Sequence, residues 1–276
     1  MRDQLLRLGT TSYILPDDIL PNVRHLGPLV DDVELVLFES EGLSNFPDAS
    51  TIAELASLAS EHNLTYTVHF PLDIYPGSQD KRIREQCVDT LLRVMELTSP
   101  LNPFGYVLHL TPDFYGREPS LDTSRWLDGL DWTLARVLSQ SRVESRMLCA
   151  ETLSYRFCVV DELVRRHDLS VTLDIGHIWL MGYSMEENLS SLLDRTRVCH
   201  VHGVKDGKDH LGLDKGKSAD IETFLSALRR QISLDQKSRV LTVEVFSEPD
   251  LQASLSLLQK SHAMMGHVWG GAHGYH

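Results

Sequence analysis

The stretch VTLDIGHIWLMGYSMEENLSSLLDRTRVCHVHG, residues 171–203, predicts a strand, a helical connection and a second strand. The two strands are the β-branched, apolar runs Val171–Ile175 and Val198–Gly203, whose length and composition are typical of buried strands. Between them, Ser184 and Glu187 have the spacing of a capping box at a helix start. Strands that alternate with helices form parallel sheets covered by helices, so this stretch indicates an α/β fold.

Similar runs recur along the chain and predict eight strands in all. The other six are Leu6–Thr11, Val33–Glu39, Leu64–Phe70, Gly105–Leu110, Met147–Thr152 and Val240–Phe246. Eight strand–helix repeats in 276 residues fit a (β/α)8 TIM barrel, for which about 250 residues are usual. A doubly wound open sheet is the alternative, although neither a G-x-G-x-x-G nor a G-x-x-x-x-G-K-[ST] motif supports a nucleotide-binding version.

The segments between the strands carry helix signals of unequal strength. One apolar stripe with a spacing of four residues is formed by Ile83, Cys87, Leu91 and Met95. Thr51 and Glu54 have the spacing of a second capping box. Between residues 16 and 27 the pattern is interrupted by Pro21, so only a short helix is expected there. No linker or repeat divides the chain, which predicts a single domain over residues 1–260 and a Gly- and His-rich tail over residues 261–276.

Composition narrows the function classes. The 26 Lys and Arg against 39 Asp and Glu give a net charge of −13, which argues against a protein whose main partner is nucleic acid. The four cysteines lack C-x-x-C spacing, and reduced thiols are the simplest interpretation. The N-terminal residues offer no signal-peptide core, and no run approaches the ~20 apolar residues of a membrane span. We therefore expect a soluble cytoplasmic protein that has neither a membrane span nor nucleic acid as its main partner.

Histidine and carboxylate side chains stand near the carboxyl ends of seven predicted strands. They are Glu39, His69, His109, Glu151, Asp174 followed by His177, His200 with His202, and Glu244, while His210 lies in the next loop. In a barrel these ends converge on one rim, where active sites are built. Crowded, buried carboxylates repel one another unless a cation compensates them, so the pattern predicts one or more divalent metal ions. A metal-free ionic network is the alternative.

His200 and His202 lie two residues apart on one strand, so both side chains face the same side of the sheet. Only one of them needs to be a ligand, because the other could orient it from behind. Imidazole ligands favour zinc or manganese over magnesium.

The motifs GTTSY, VLFE, YTVHFP, VLHL, CAET, LDIGH, CHVHGVKDGKDH and VEVF together resemble the xylose-isomerase-like TIM-barrel superfamily, which includes zinc-dependent AP endonucleases. The resemblance spans residues 8 to about 259 and implies a metal held by Glu151, Asp174, His200 and Glu244. The endonuclease-like members add histidine ligands that match His69 and His109. A third metal would use His177 and His210, but Asp209 is adjacent to His210 instead of two residues before it, which puts this third site in doubt.

More narrowly, GTTSYILPDDILPNVRHLGPLVDDVELVLFE, residues 9–39, resembles the cobamide-remodelling phosphodiesterases of this superfamily. This resemblance implies cleavage of the cobamide nucleotide loop, which releases cobinamide and a riboside phosphate. Two metals favour phosphoester hydrolysis, in which Glu151 would bridge them while Glu244 or Asp174 holds the attacking water or a metal. Lys205 and Arg156 are candidates to neutralise the phosphate. A wide rim is expected for the corrin, lined by Phe70, Tyr75, Phe114, Tyr115, Tyr155 and Trp179.

Three other functions stay open at this point. A sugar isomerase or epimerase needs one metal and two carboxylates that move a proton, a role that Glu151 and Glu244 could fill. A DNA-repair nuclease for abasic sites is weakened by the net charge of −13. A non-catalytic binding protein on a degenerate barrel is the weakest, because all four residues of the core ligand set are present.

Overall fold

The computed structural model of the protein describes residues 5–40, 42–112 and 122–265. Eight parallel strands close into a barrel and confirm the predicted TIM-barrel fold. In chain order they are β1 (Leu6–Thr11), β2 (Asp32–Val36), β3 (Thr65–His69), β4 (Gly105–Leu108), β5 (Leu148–Glu151), β6 (Ser170–Asp174), β7 (Thr196–Val201) and β8 (Arg239–Val243). Each strand pairs with its neighbours in sequence, and β1 closes the barrel by pairing with both β2 and β8. The open-sheet alternative is thereby excluded.

Nine helices lie within the described residues and cover the barrel. They are α1 (Ile19–Leu26), α2 (Ala49–His62), α3 (Lys81–Thr98), α4 (Thr123–Gln140), α5 (Asp161–Arg166), α6 (Ile175–Met181), α7 (Met185–Leu192), α8 (Ser218–Asp235) and α9 (Glu248–Met265). None of the described helices is both long and apolar enough to cross a membrane. Helix α9 continues five residues beyond the predicted domain end at residue 260, and residues 266–276 lie outside the described part of the chain.

Local sequence signals explain most helix starts. The Ser184 hydroxyl accepts the N–H of Glu187 and caps α7, which confirms that N-cap. In α1, Pro21 lies within the first turn, where backbone N–H groups have no hydrogen-bond partner within the helix, so the N–H that proline lacks costs nothing. The helix is short, as expected. The predicted start of α2 is wrong, because the Asp48 carboxylate caps the helix by accepting the Thr51 N–H.

The core has two layers of packing. The alternating side chains of each strand that point outward pack against the helices, as Val33 and Leu35 do on β2. Inside the barrel, a small separate cluster of Val107, Cys149 and Val198 fills one level. The described part of the interior is otherwise rich in polar groups, and it leads directly to the carboxyl ends of the strands.

One predicted strand end is in a different place. Strand β2 ends at Val36, and Glu39 lies beyond it in a short hairpin formed by Glu39–Ser40 and Leu43–Ser44. There the Glu39 side chain is exposed and forms an ion pair with Arg93. Glu39 therefore does not join the other acidic groups, and a different residue of β2 takes that place.

Candidate metal centre

Six of the predicted ligands meet at the carboxyl-terminal mouth of the barrel. His69, Glu151 and Asp174 are the last residues of β3, β5 and β6, and His109 and Glu244 directly follow β4 and β8. His200 lies in β7, paired with Asp174 on one side and Thr242 on the other. All six side chains are buried, with Glu244 and His109 the most exposed at 5% and 8%. The fold therefore brings together residues that are up to 175 positions apart in sequence (69 to 244).

The first ligand cluster consists of His69, His109 and Glu151. Oε2 of Glu151 lies 2.7 Å from Nε2 of His109 and 3.5 Å from Nε2 of His69. Nδ1 of His69 lies 2.7 Å from the Phe70 carbonyl oxygen, to which it donates. Because that hydrogen bond holds a proton on Nδ1, Nε2 is the nitrogen of His69 that offers a lone pair to the cluster once the ring is neutral.

The second ligand cluster consists of Glu151, Asp174, His200 and Glu244. Nδ1 of His200 lies 3.1 Å from Oε1 of Glu151, 3.2 Å from Oε2 of Glu244 and 3.9 Å from Oδ2 of Asp174. Glu151 belongs to both clusters, and it faces each of them with a different oxygen. This is the geometry of a carboxylate that bridges two cations.

The orphaned oxygens of this cluster support a cation. Oδ2 of Asp174 and Oε2 of Glu244 are buried and accept no well-aligned hydrogen bond from the described residues, although Nδ1 of His177 lies 3.0 Å from the first and Nδ1 of His200 lies 3.2 Å from the second. A buried carboxylate oxygen without a partner is costly, and three carboxylates within one cluster repel one another. A divalent ion at this point would satisfy both oxygens, so the residues present fit a metal.

A third group contains His177, His202 and His210, whose ring nitrogens also lie within ligand distance of one another. The third-metal pattern of the endonuclease-like members includes an Asp two residues before the loop histidine, and this chain has Lys208 there. The third ligand of the group is His202 instead. Nδ1 of His202 accepts the N–H of His210 at 3.0 Å, while its Nε2 faces Oδ1 of Asp174 at 3.3 Å. In a neutral ring the nitrogen that accepts is Nδ1 and the proton is on Nε2, so Nε2 offers no lone pair to a metal.

Gly176 permits this arrangement. A Cβ atom at position 176 would overlap the ring of His202, so the close approach requires glycine. The D-I-G-H sequence thus places Asp174 and His177 at the mouth while leaving room for His202, which directly follows β7. His200 belongs to the second ligand cluster and His202 to the third group, and the assignment of one as ligand and the other as orienting group stays a prediction.

The pKa values reflect this crowding. Burial alone would raise the pKa of Glu151, but the adjacent His109 and His200 outweigh it and hold the value well below the ordinary range. Burial would lower the pKa of His69, but the carboxylates of Glu151, Glu34 and Glu244 raise it to about 9. The pKa of His200 is raised well above its ordinary value in the same way, whereas burial dominates at His109 and lowers its pKa.

Glu34, which is not among the predicted site residues, lies within β2 and is fully buried. Its Oε2 lies 2.8 Å from Nε2 of His200, on the side of the ring opposite to the second cluster. The available signal was the alternation in DVELV, where Asp32 and Glu34 share the face opposite to the apolar Val33 and Leu35. Because the predicted strand ended at Glu39, Glu39 and not Glu34 was predicted to join the site.

A cavity of 480 Å³ opens above the clusters. His69, His109, His177, His210 and Glu244 line its floor and walls, together with apolar residues that include Leu72, Leu153, Leu180, Met181 and Phe246. Among its described lining residues there is no lysine or arginine.

The exposed apolar side chains concentrate on one side of this mouth. Phe246 follows β8, Phe38 and Leu43 follow β2, and Leu72 follows β3, with exposed fractions of 38–71%. Strands β8, β1, β2 and β3 are consecutive in the barrel, so these four residues, which we call the apolar rim, lie on one side of the mouth. Leu72 and Phe246 also line the cavity.

The predicted rim residues lie elsewhere. Phe70 is buried and stacks on Tyr106, and Tyr155 is buried against Trp126, so both belong to the core. Trp179 is half-buried on α6 and is not among the cavity-lining residues. Tyr75 is half-buried in the loop after β3 and does not line the cavity either. Phe114 and Tyr115 lie outside the described residues.

The two predicted phosphate-binding cations also lie away from the cavity. Arg156 lines a separate cavity of 360 Å³, where its guanidinium lies 5.6 Å from the centre of the Tyr183 ring. Lys205 is exposed at the end of a strand, Gly203–Lys205, in the hairpin that follows β7. In this conformation neither side chain contacts the ligand clusters.

Comparison with known proteins agrees with the fold. A family model described as "Xylose isomerase-like TIM barrel" matches residues 22–261. The chain is similar in structure to a D-tagatose 3-epimerase-like protein, with a TM-score of 0.73, 20% identity, and coverage of 94% of this chain and 97% of that one. No curated protein matches the chain in sequence.

Two further solved structures resemble the chain. A 3-keto-D-glucoside 4-epimerase from E. coli, in its apo form, has a TM-score of 0.69 and 15% identity, with coverage of 93% of this chain and 98% of that one. Endonuclease IV from Thermus thermophilus has a TM-score of 0.66 and 18% identity, with coverage of 92% of this chain and 99% of that one. At these identities the similarity shows a shared barrel, on which different reactions can be built.

Proposed function

This chain belongs to the xylose isomerase-like TIM-barrel family, and we propose that it is a metal-dependent phosphodiesterase that cleaves the nucleotide loop of cobamides. The observation that carries the proposal is the position of Glu151 between two ligand clusters, with Oε2 facing His69 and His109 and Oε1 facing His200. Two divalent ions held about 3.5–4 Å apart would supply a nucleophile at neutral pH and stabilise the leaving oxygen of a phosphodiester.

The protein side chains would divide the remaining work. Asp174, His200 and Glu244 would hold one ion, and His69 and His109 would hold the other. Since the ligands include imidazole in both clusters, zinc and manganese are the proposed ions. His177 and His210 line the cavity beside the centre and are the nitrogen groups placed to contact the phosphate, a role that sequence analysis assigned to Lys205 and Arg156.

The mouth of the barrel supports a cobamide as the substrate. A corrin is a wide ring that carries amide side chains at its edge, and the apolar rim offers exposed contacts for the ring on one side of the cavity. Nucleic acid is a poor alternative, because the chain has a net charge of −13 and the described lining of the cavity has no cationic lysine or arginine. The products would be cobinamide and a riboside phosphate.

A sugar epimerase is the second candidate. The cluster of Glu151, Asp174, His200 and Glu244 is sufficient for one metal, and both glutamates lie within 3.2 Å of Nδ1 of His200. One metal and two carboxylates would be enough to move a proton between faces of a ketose. This function leaves His69 and His109 without a role as ligands.

The test uses the purified protein, a cobamide, and zinc or manganese. The proposal predicts that the lower ligand leaves, which changes the absorption spectrum, and that cobinamide and a riboside phosphate appear in the products. E151Q should abolish the reaction, while E186Q, which changes an exposed glutamate on α7 in the same way, should not.

Two parallel assays separate the alternatives. Solvent-proton exchange into ketoses would support the epimerase, and cleavage of a duplex with an abasic site would support a nuclease. A cobamide that stays intact with zinc, manganese, iron and cobalt, each added in turn, would refute the assignment without affecting the fold.

A further inference from the structure

We propose that Glu34 is a positioning residue that fixes His200 as a metal ligand through Nδ1. The inference rests on the metal centre of the proposed function but not on its substrate. Glu34 itself lies behind His200, on the side away from the ligand clusters, so it contacts neither the cavity nor the ions.

The two ring nitrogens of His200 face different groups. Nδ1 lies 3.1–3.2 Å from the carboxylates of Glu151 and Glu244, and Nε2 lies 2.8 Å from Oε2 of Glu34. A neutral imidazole carries one proton, and a nitrogen that binds a metal must be the one without it. The Glu34 carboxylate is an acceptor only, so it favours the ring form with the proton on Nε2 and the lone pair on Nδ1.

Without Glu34 the opposite ring form would be favoured. Glu151 and Glu244 are themselves acceptors next to Nδ1, and in the absence of a competing acceptor they would hold the proton there. That ring form presents an N–H to the centre instead of a lone pair. A carboxylate behind a ligand histidine is known to set its ring form and orientation and to raise its affinity for the metal.

The carboxylate of Glu34 makes its direct contact with His200, and it acts on His69 only through its charge, which raises the pKa of that ring. Glu34 is fully buried, and the only hydrogen bond of its carboxylate among the described residues goes to His200. Oε1 has no hydrogen-bond partner, so burying this carboxylate in the barrel interior costs free energy of folding. Its contribution is therefore made at His200.

Asp32 offers a matched control. It is also fully buried on β2, two residues before Glu34, so its side chain is on the same inner face. Its carboxylate accepts a hydrogen bond from the Thr65 hydroxyl at 2.6 Å and has no contact with His200. D32N thus changes a buried carboxyl group on the same strand without affecting the ring form of the ligand.

The first experiment measures the affinity of the metal-free protein for zinc by competition with a chelator, with no substrate present. We expect E34L to weaken binding at the Asp174 and His200 site by roughly 10–100-fold, with E34Q at the low end because the amide oxygen can still accept the Nε2 proton. D32N should bind as the wild type does. Wild-type affinity in a folded E34L would overturn the proposal.

The second experiment reads the ring form in the wild-type protein and so does not depend on any variant folding. Nitrogen NMR of the zinc-loaded protein should show His200 with its proton on Nε2 and zinc on Nδ1. A proton on Nδ1, or zinc on Nε2, would overturn the inference. Both readouts are independent of cobamide cleavage, so a protein that binds zinc as described but leaves cobamides intact would refute the proposed function alone.

Discussion

The metal-free protein should release about two protons per chain when the two clusters that share Glu151 take up zinc at pH 7. The pKa of His69 is raised to about 9, so at pH 7 only about one ring in a hundred is neutral. The pKa of His200 is also raised well above its ordinary value, whereas the pKa of His109 is lowered. His69 and His200 must therefore each lose a proton to become ligands, and His109 needs to lose none.

The size of the effect follows from the same values. Displacing a proton from a group with a pKa of about 9 at pH 7 weakens the apparent zinc affinity about 100-fold, or about 3 kcal/mol, from His69 alone. Because the protonated form competes with the metal, affinity should rise as the pH rises from 7 towards 9. Above that pH the proton release should fall, since His69 is then already neutral.

Isothermal titration calorimetry can count these protons. Zinc is added to the metal-free protein in buffers of equal pH and different ionisation enthalpy, and the dependence of the heat on that enthalpy gives the number released. H69Q should release about one proton fewer, and H25Q, which changes a half-buried histidine of α1 that pairs with Glu248, should match the wild type. No proton release at pH 7, or an affinity that does not change between pH 7 and 9, would refute the reasoning.

Three other predictions concern the supporting structure. Burial raises the pKa of Asp32 from its ordinary 3.8 to about 7. The contribution of Asp32 to the free energy of unfolding is therefore complete below about pH 4 and is lost as the pH rises to about 7. Relative to the wild type, the free energy of unfolding of D32N in denaturant should rise by up to about 4 kcal/mol across that range. G176A should lower stability by about 1–3 kcal/mol and displace His202, and an unchanged melting temperature would contradict this. S184A should destabilise the protein by about 1 kcal/mol, because the Glu187 N–H loses its cap, and chemical unfolding measures it.

The barrel could be predicted because its signals are local. Each strand is a short run of β-branched and apolar residues, and the runs are separated by helix-length segments, so the count of eight follows from the sequence. The clusters could be predicted for a related reason: a parallel barrel places every strand end at one mouth. His69, Glu151 and Asp174 needed only this rule to be brought together.

The predictions for the acidic residues of β2 were wrong because the position of those residues depends on tertiary structure. Glu39 follows an apolar, β-branched run, as a strand-end residue would, but the chain leaves the barrel after Val36. Glu39 lies in the hairpin beyond it and forms an ion pair with Arg93 of α3. Glu34 was missed because a buried acid within a strand gains its meaning only from His200, which is 166 residues away. The pairing is invisible without the closed barrel.

The rim was misjudged for a similar reason. Phe70 and Tyr155 follow strand ends as a rim residue would, yet both turn inward to stack on other aromatic rings. The exposed apolar side chains are instead Phe38, Leu72 and Phe246, on loops whose course no sequence pattern sets.

Anomalous diffraction from crystals of the zinc-loaded protein tests the central claim most directly. The account predicts two strong peaks about 3.5–4 Å apart, one among His69, His109 and Glu151 and one among Glu151, Asp174, His200 and Glu244, with Glu151 joining them. A single peak in the second cluster at saturating zinc, with His69 and His109 unliganded, would contradict the two-metal centre.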